Sequence, residues 1–221
     1  MNANIPLMRR NWLPSMLAQR QVLCSALGLL LLAARCPGQG SMTITFDNPP
    51  LPPDTATIIT SYSESGMRFW EPGSSFGGLV LVGAGNAGGS PNNGTTHLET
   101  YAATYVAFAP TSVTPFSLRS FDATESYSIT PGPETLHVVG YKFDSTSVWT
   151  DLTTDGGRQF QTYTLDSRFA NLFSVVITPS AWSGFALDNV VVGIPEPSVA
   201  ALVVLAAACA FGRSRIKRRR P

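Results

Sequence analysis

Residues 136–143 read Leu-His-Val-Val-Gly-Tyr-Lys-Phe. Val139, Tyr141 and Phe143 fall at every second position, so in an extended chain they share one face. Ile44 and Phe46 repeat the pattern near the start of the same region. Working outward, the stretch from 41 to 193 is rich in Thr, Ser, Val, Phe and Tyr, with Gly and Pro at short intervals. That composition belongs to short strands separated by turns. It predicts strands over 42–46, 57–63, 67–70, 79–82, 101–108, 116–121, 136–143, 159–165, 173–178 and 184–192. No sustained helical period interrupts them. The longest turn-rich interval, 83–96, carries Gly83, Gly85, Gly88, Gly89 and Gly94 and reads as a mobile surface loop. Strand number and spacing predict an all-β fold, a two-sheet antiparallel sandwich of jelly-roll type, with a barrel as the alternative.

The formal net charge of +1 over 221 residues conceals an uneven distribution. Arg9, Arg10, Arg20 and Arg35 precede position 41, and Arg213, Arg215, Lys217, Arg218, Arg219 and Arg220 follow Gly212, with no acid in either group. Between 41 and 194 stand five basic and thirteen acidic residues, a net charge of −8. An acidic domain offers no basic face for phosphates, so nucleic acid is not expected as a partner. The cysteines divide in the same way: Cys24 and Cys36 lie before the domain, Cys209 after it, and none within. The domain therefore holds neither a disulfide nor a thiolate metal site of its own. Its roughly 150 residues suffice for a core without covalent staples.

The basic N-terminal residues, the apolar run 22–34 and the small residues Gly38 and Gly40 have the layout of a secretory signal cleaved before Ser41. Export through the Sec translocon and processing by signal peptidase are expected. At the other end, Pro195-Glu196-Pro197 precedes an apolar run over 199–211 and then the arginine-rich tail. The prolines end the preceding strand and set the apolar run apart as a separate unit. At ~1.5 Å per residue, a helix over 198–212 reaches roughly 22 Å, short of the ~30 Å hydrocarbon layer. Basic residues at both ends favour a cytoplasmic location for both, which leaves the middle domain outside.

This ending resembles the PEP-CTERM sorting signal: the Pro-Glu-Pro motif Pro195, Glu196 and Pro197, a short transmembrane helix, and the basic tail from Arg213 to Arg220. The resemblance covers about the last thirty residues. It implies recognition by an exosortase, a transient membrane anchor processed near Pro195–Pro197, and delivery to the cell surface or extracellular matrix of a Gram-negative bacterium. The organisation expected is a signal peptide over 1–40, a β-sandwich ectodomain over 41–193 and a sorting segment over 194–221.

The domain also looks like jelly-roll ectodomains that open with a strand ending in Phe-Asp and close with Phe-x-Leu-Asp-Asn-hydrophobic. Here these are Phe46-Asp47 and Phe185-Ala186-Leu187-Asp188-Asn189-Val190. The resemblance implies a structural calcium where first and last strands meet, with Asp47 and Asp188 as carboxylate ligands and Asn189 nearby. Two acids are part of a calcium site, since the ion takes six to eight oxygens. Among the aromatics Trp70, Trp149, Trp182, Tyr62, Tyr101 and Tyr127, core burial is the default. Trp149 and Trp182 lie near turn signals and are the surface candidates for stacking on a sugar.

Catalytic patterns are missing. His97 and His137 stand 40 residues apart, without metal-ligand spacing, and His137 inside a strand reads as a structural histidine. There is no Gly-x-Ser-x-Gly elbow. Asp151 and Asp155 flank Thr-rich sequence and read as strand ends. The glycines at 83, 85 and 88 lack the helix that a dinucleotide loop requires. The expectation is a surface or matrix protein with a structural or adhesive role and no enzymatic activity. A carbohydrate-binding module of the polysaccharide matrix is the alternative, and a glycoside-active enzyme the third reading.

Overall fold

Alternation of apolar and polar residues builds two sheets. The computed structural model describes residues 39–72, 78–85, 89–100, 105–126, 132–180 and 184–195. Thirteen strands are present among them: β1 Gln39–Ile44, β2 Ala56–Ile59, β3 Ser61–Glu64, β4 Met67–Trp70, β5 Leu79–Val82, β6 His97–Thr100 and β7 Val106–Pro110. They continue with β8 Ser117–Glu125, β9 Thr135–Lys142, β10 Ser147–Thr153, β11 Gln161–Thr164, β12 Leu172–Pro179 and β13 Phe185–Pro195. A 3₁₀ turn, Ser167–Phe169, stands between β11 and β12. The seven-stranded sheet runs β11-β8-β13-β6-β5-β2, with β1 paired to the second half of β13. The six-stranded sheet runs β10-β9-β12-β7-β4-β3. All pairings are antiparallel, and one isolated bridge, Phe116 to Leu172, joins the sheets. The fold is thus an all-β two-sheet antiparallel sandwich.

The core lies between the sheets. Phe46, Phe69, Phe108 and Phe116 form a chain of rings with centroids 5.1, 5.0 and 6.2 Å apart, all fully buried. Rings of this size dominate core energetics, and losing one from such a site costs roughly 3–5 kcal/mol. On β9 the inward residues are Leu136, Val138 and Gly140. Any Cβ at Gly140 would stand 2.9 Å from a Leu172 methyl, which fixes how closely β12 packs there.

On β13 the inward parity changes along the strand. Phe185 and Leu187 face the core before Asp188, and Val190 and Val192 face it afterwards. The register shift between Asp188 and Val191, with Asn189 at φ 47°, inserts the extra residue that makes this happen.

Several predicted strands take a different form. The run 57–63 is two strands on different sheets, because the chain crosses over at Thr60: β2 pairs with β5 and β3 with β4. β6 lies inside no predicted strand. Its His97, Glu99 and Thr100 are buried by other segments, so its polar sequence does not look like a strand. β10 also falls outside the predicted set, since its inward Val148 alternates with outward Trp149 and Asp151, which read as turn residues. The interval 83–96, expected to be a mobile loop, is tied down where it is described. Asp54 N donates to Ala84 O at 2.8 Å, and Thr96 N to Asp47 Oδ1 at 2.9 Å. β1 begins at Gln39, two residues before the expected cleavage point, and Gln39 pairs with Pro195.

Candidate functional site

With Leu136, Val138 and Val148 turned inward, period two places His137, Val139 and Tyr141 of β9, and Trp149 and Asp151 of β10, on the outer face of the six-stranded sheet. Trp149 is 58 % exposed. The register continues as one cross-strand row: Trp149, Val139, Val176, Ala107, Trp70, Ser61. At ~4.8 Å per strand, the two indoles stand about 19 Å apart along the row. Between them stand Val139, Val176 and Ala107; the two valines are partly exposed and Ala107 is buried, so the open floor is interrupted at β7.

Polar groups rim this row. His137 Nδ1 and Asp151 Oδ1 lie 2.6 Å apart on directly opposed residues, and the imidazole centroid is 5.6 Å from that of Trp149. Arg68 holds its guanidinium carbon 6.0 Å from the Trp70 ring centroid. An open groove beside Trp149 is lined by Lys142, Ser147, Asp151 and Arg168. An exposed indole flanked by hydrogen-bonding groups is chemically suited to a ligand with apolar faces and polar edges.

The outer face of the seven-stranded sheet is its opposite. Ala186, Asp188, Glu99, His97 and Thr124 belong to this face, and each is at most 5 % exposed. Asp122, also on this face, accepts from Thr162 Oγ1 at 2.6 Å and from Asn189 Nδ2 at 2.8 Å. His97 stacks edge-on against Phe160 at 5.3 Å and reaches Glu99 at 3.2 Å, while Ser126 donates to Glu99 at 2.8 Å.

Asp188 accepts from Asn93 Nδ2, from Thr95 Oγ1 at 2.9 Å and from the Asn189 backbone N–H at 2.7 Å. Burial pushes its carboxyl up to about 6, against the lowering effect of these donors and of His97. Asp47 and Asp188 therefore grip the same segment, residues 93–96, through different residues. Among the described residues no three His, Cys, Asp or Glu are grouped to hold a metal ion.

Another carboxylate, Glu125, closes one end of the sandwich. Burial pushes its carboxyl up, yet hydrogen bonds from Thr154, Gly156 N–H and Thr124 outweigh that and hold it low. Tyr163 is pushed up to about 12 by burial and then by the charges of Glu125 and Asp155.

Of the residues singled out from the sequence, Trp149 is on the surface and Trp70 half-buried in the same row. Tyr62 is a core residue: its hydroxyl donates to Glu64 at 2.9 Å and its ring packs 5.3 Å from that of Phe46. His137, read as structural, faces outward and is half exposed, because it stands on the outer face of β9. Asp151, read as a strand end, sits inside β10 opposite it. Trp182, Tyr101, Tyr127, Glu196, Pro197 and the basic tail from Arg213 to Arg220 lie outside the described residues, while Pro195 ends β13. Sequence reasoning missed the exposed aromatics Tyr141, Phe143 and Phe173 as surface features. The alternation at 139, 141 and 143 identifies a shared face without saying which face is inside.

No protein family and no curated protein matches the chain. Among solved structures, a family 29 carbohydrate-binding module complexed with mannohexaose superposes with a TM-score of 0.43 at 14 % identity, covering 70 % of this chain and 92 % of that one. A DUF4465 family protein from Bacteroides ovatus gives 0.43 at 10 % identity, covering 71 % and 99 %. The family 32 module of NanJ from C. perfringens, in complex with galactose, gives 0.37 at 16 % identity, covering 60 % and 98 %. At TM-scores below 0.5 these likenesses carry no argument about what the chain does.

Proposed function

We propose that residues 39–195 form a carbohydrate-binding domain that acts through the outer face of the six-stranded sheet. The chain is exported, and its PEP-CTERM-like ending directs it through an exosortase to the cell surface or polysaccharide matrix. The observation that carries the binding reading is Trp149, 58 % exposed at the end of a cross-strand row whose other indole is Trp70. Burying an indole face removes apolar area from water at roughly 25 cal/mol per Å², and a core position was open to it on either neighbouring residue of β10. Its place outside, beside the His137–Asp151 pair and the Lys142–Arg168 groove, suits a sugar's alternating apolar face and hydroxyl rim. The role is binding in a matrix and not turnover, and a jelly-roll sandwich is a suitable rigid frame for it.

Titrating neutral and acidic polysaccharides into the protein while following tryptophan fluorescence tests this reading. Binding is expected, and Trp149→Ala weakens it at least about tenfold, equivalent to roughly 1.4 kcal/mol. The melting temperature should stay put, because the side chain is exposed. Unchanged affinity in the variant, or no response to any polysaccharide, refutes the proposal. Release of reducing ends by the wild type would favour the enzyme reading instead.

A further inference from the structure

We infer that one end of the sandwich, bearing Val113, Phe143 and Phe173, rests on the lipid surface into which the chain's apolar segment leads. This rests on the reading of 199–211 as a membrane anchor. The ladder of pairings locates that end. The chain enters at Gln39 and leaves at Pro195, which are register partners. Gly193 pairs with Ser117, the neighbouring Phe116 exchanges backbone bonds of 2.8 and 2.9 Å with Leu172, and Leu172 pairs with Lys142. Phe143 and Phe173 come directly after Lys142 and Leu172, so both chain exits and these aromatics belong to the same end.

Val113 is 91 % exposed, Phe143 50 % and Phe173 43 %. The two phenyl rings touch at 5.9 Å, and with Pro110 and Lys142 they line one shallow depression. Large apolar groups gathered on one surface mark an interaction site. In sequence, the apolar run begins at Val199, four residues beyond Pro195, a reach of at most ~14 Å. A domain joined to a bilayer by so short a link keeps this end near the headgroups. Apolar side chains there can enter the headgroup boundary to a depth of about 5–10 Å. At the opposite end Glu125 and Glu134 are buried and hydrogen-bonded, and Asp155 is exposed.

The test uses the full chain with Cys24, Cys36 and Cys209 changed to Ser, reconstituted into phosphatidylcholine vesicles containing a nitroxide-labelled lipid. An environment-sensitive fluorophore is attached through Val113→Cys or, at the far end of β10, through Thr153→Cys; both positions are exposed. The inference expects lipid quenching at least about threefold stronger at position 113 than at 153. Adding Phe143→Ser and Phe173→Ser should cut that difference, and both sites are exposed enough for the fold to survive. Equal quenching at the two positions overturns it. A blue-shifted probe at 113 without lipid quenching also overturns it, assigning the patch to a second copy or to the chain's own apolar segment. If the chain fails to float with the vesicles, the anchor reading itself has failed.

Discussion

The two sheets turn very different outer faces to their surroundings. The seven-stranded sheet carries carboxylates and a histidine on its outer face and covers them with residues 93–96, Ser126 and Phe160. The six-stranded sheet carries aromatic rings and leaves them bare, with Trp149, Tyr141 and Phe173 all exposed. Charge buried and aromatic surface exposed is the reverse of what transfer free energies favour for each group alone. The buried carboxylates Asp188 and Glu99 have hydrogen-bond partners, whereas His97 is satisfied through Nε2 alone. On the bare face the Trp149 indole lies beside the His137 ring at 5.6 Å and otherwise stays open to the proposed ligand.

Changes on the covered face are expected to act on stability and changes on the bare face on binding. The largest effect expected is from Asp188. Its carboxyl is raised from the usual 3.8 to about 6 by burial, so between those values the folded chain binds more protons than the unfolded one. Stability therefore rises as pH falls through 6 and gains about 2–3 kcal/mol in full near pH 4. Urea unfolding of wild type and Asp188→Asn at about pH 4.5 and about pH 7.5 measures it. The variant should lose this part of the pH dependence, and an equal pH response in both proteins would show that Asp188 is not buried as a charge.

A smaller effect separates the faces by packing alone. Ala186 is fully buried on the covered face, next to Glu99 and Thr124 in the register. Ala186→Leu is expected to cost roughly 1–3 kcal/mol through overpacking. Val176→Leu, in the floor of the bare face, should change stability by less than about 0.5 kcal/mol. Similar costs at both sites would mean the second face is also covered. The smallest effect is at the His137–Asp151 pair. Both side chains are about half exposed, so His137→Gln should shift stability by well under 1 kcal/mol. Polysaccharide affinity is the sensitive readout for that variant.

Much of the core is legible in the sequence. Strands β4 and β5 fall on the predicted bounds, and Ile44 and Phe46 are both fully buried, as their spacing suggests. Period-two alternation survives folding because a pleated chain has no other way to separate its two faces. What alternation leaves open is which face is inside. Val139, Tyr141 and Phe143 do alternate with the inward positions of their strand, but the core takes Leu136, Val138 and Gly140 instead. β6 is invisible to such reasoning because His97 and Glu99 are buried by segments far away in sequence, and a polar strand has no local signature.

The sequence by itself determined that the middle of this chain, 41–193, is built of strands, acidic and free of cysteine, since composition and charge do not depend on how the strands pair. It also supplied Trp149 as a surface candidate. Tertiary structure alone decided that Trp70 joins the row of Trp149 four strands away. It alone brought Asp47 and Asp188 onto the same segment, 93–96, and Phe173 beside Phe143. These are relations between residues that no local period connects. Register sets them, and register is specified by which face of each strand is buried against the rest of the fold.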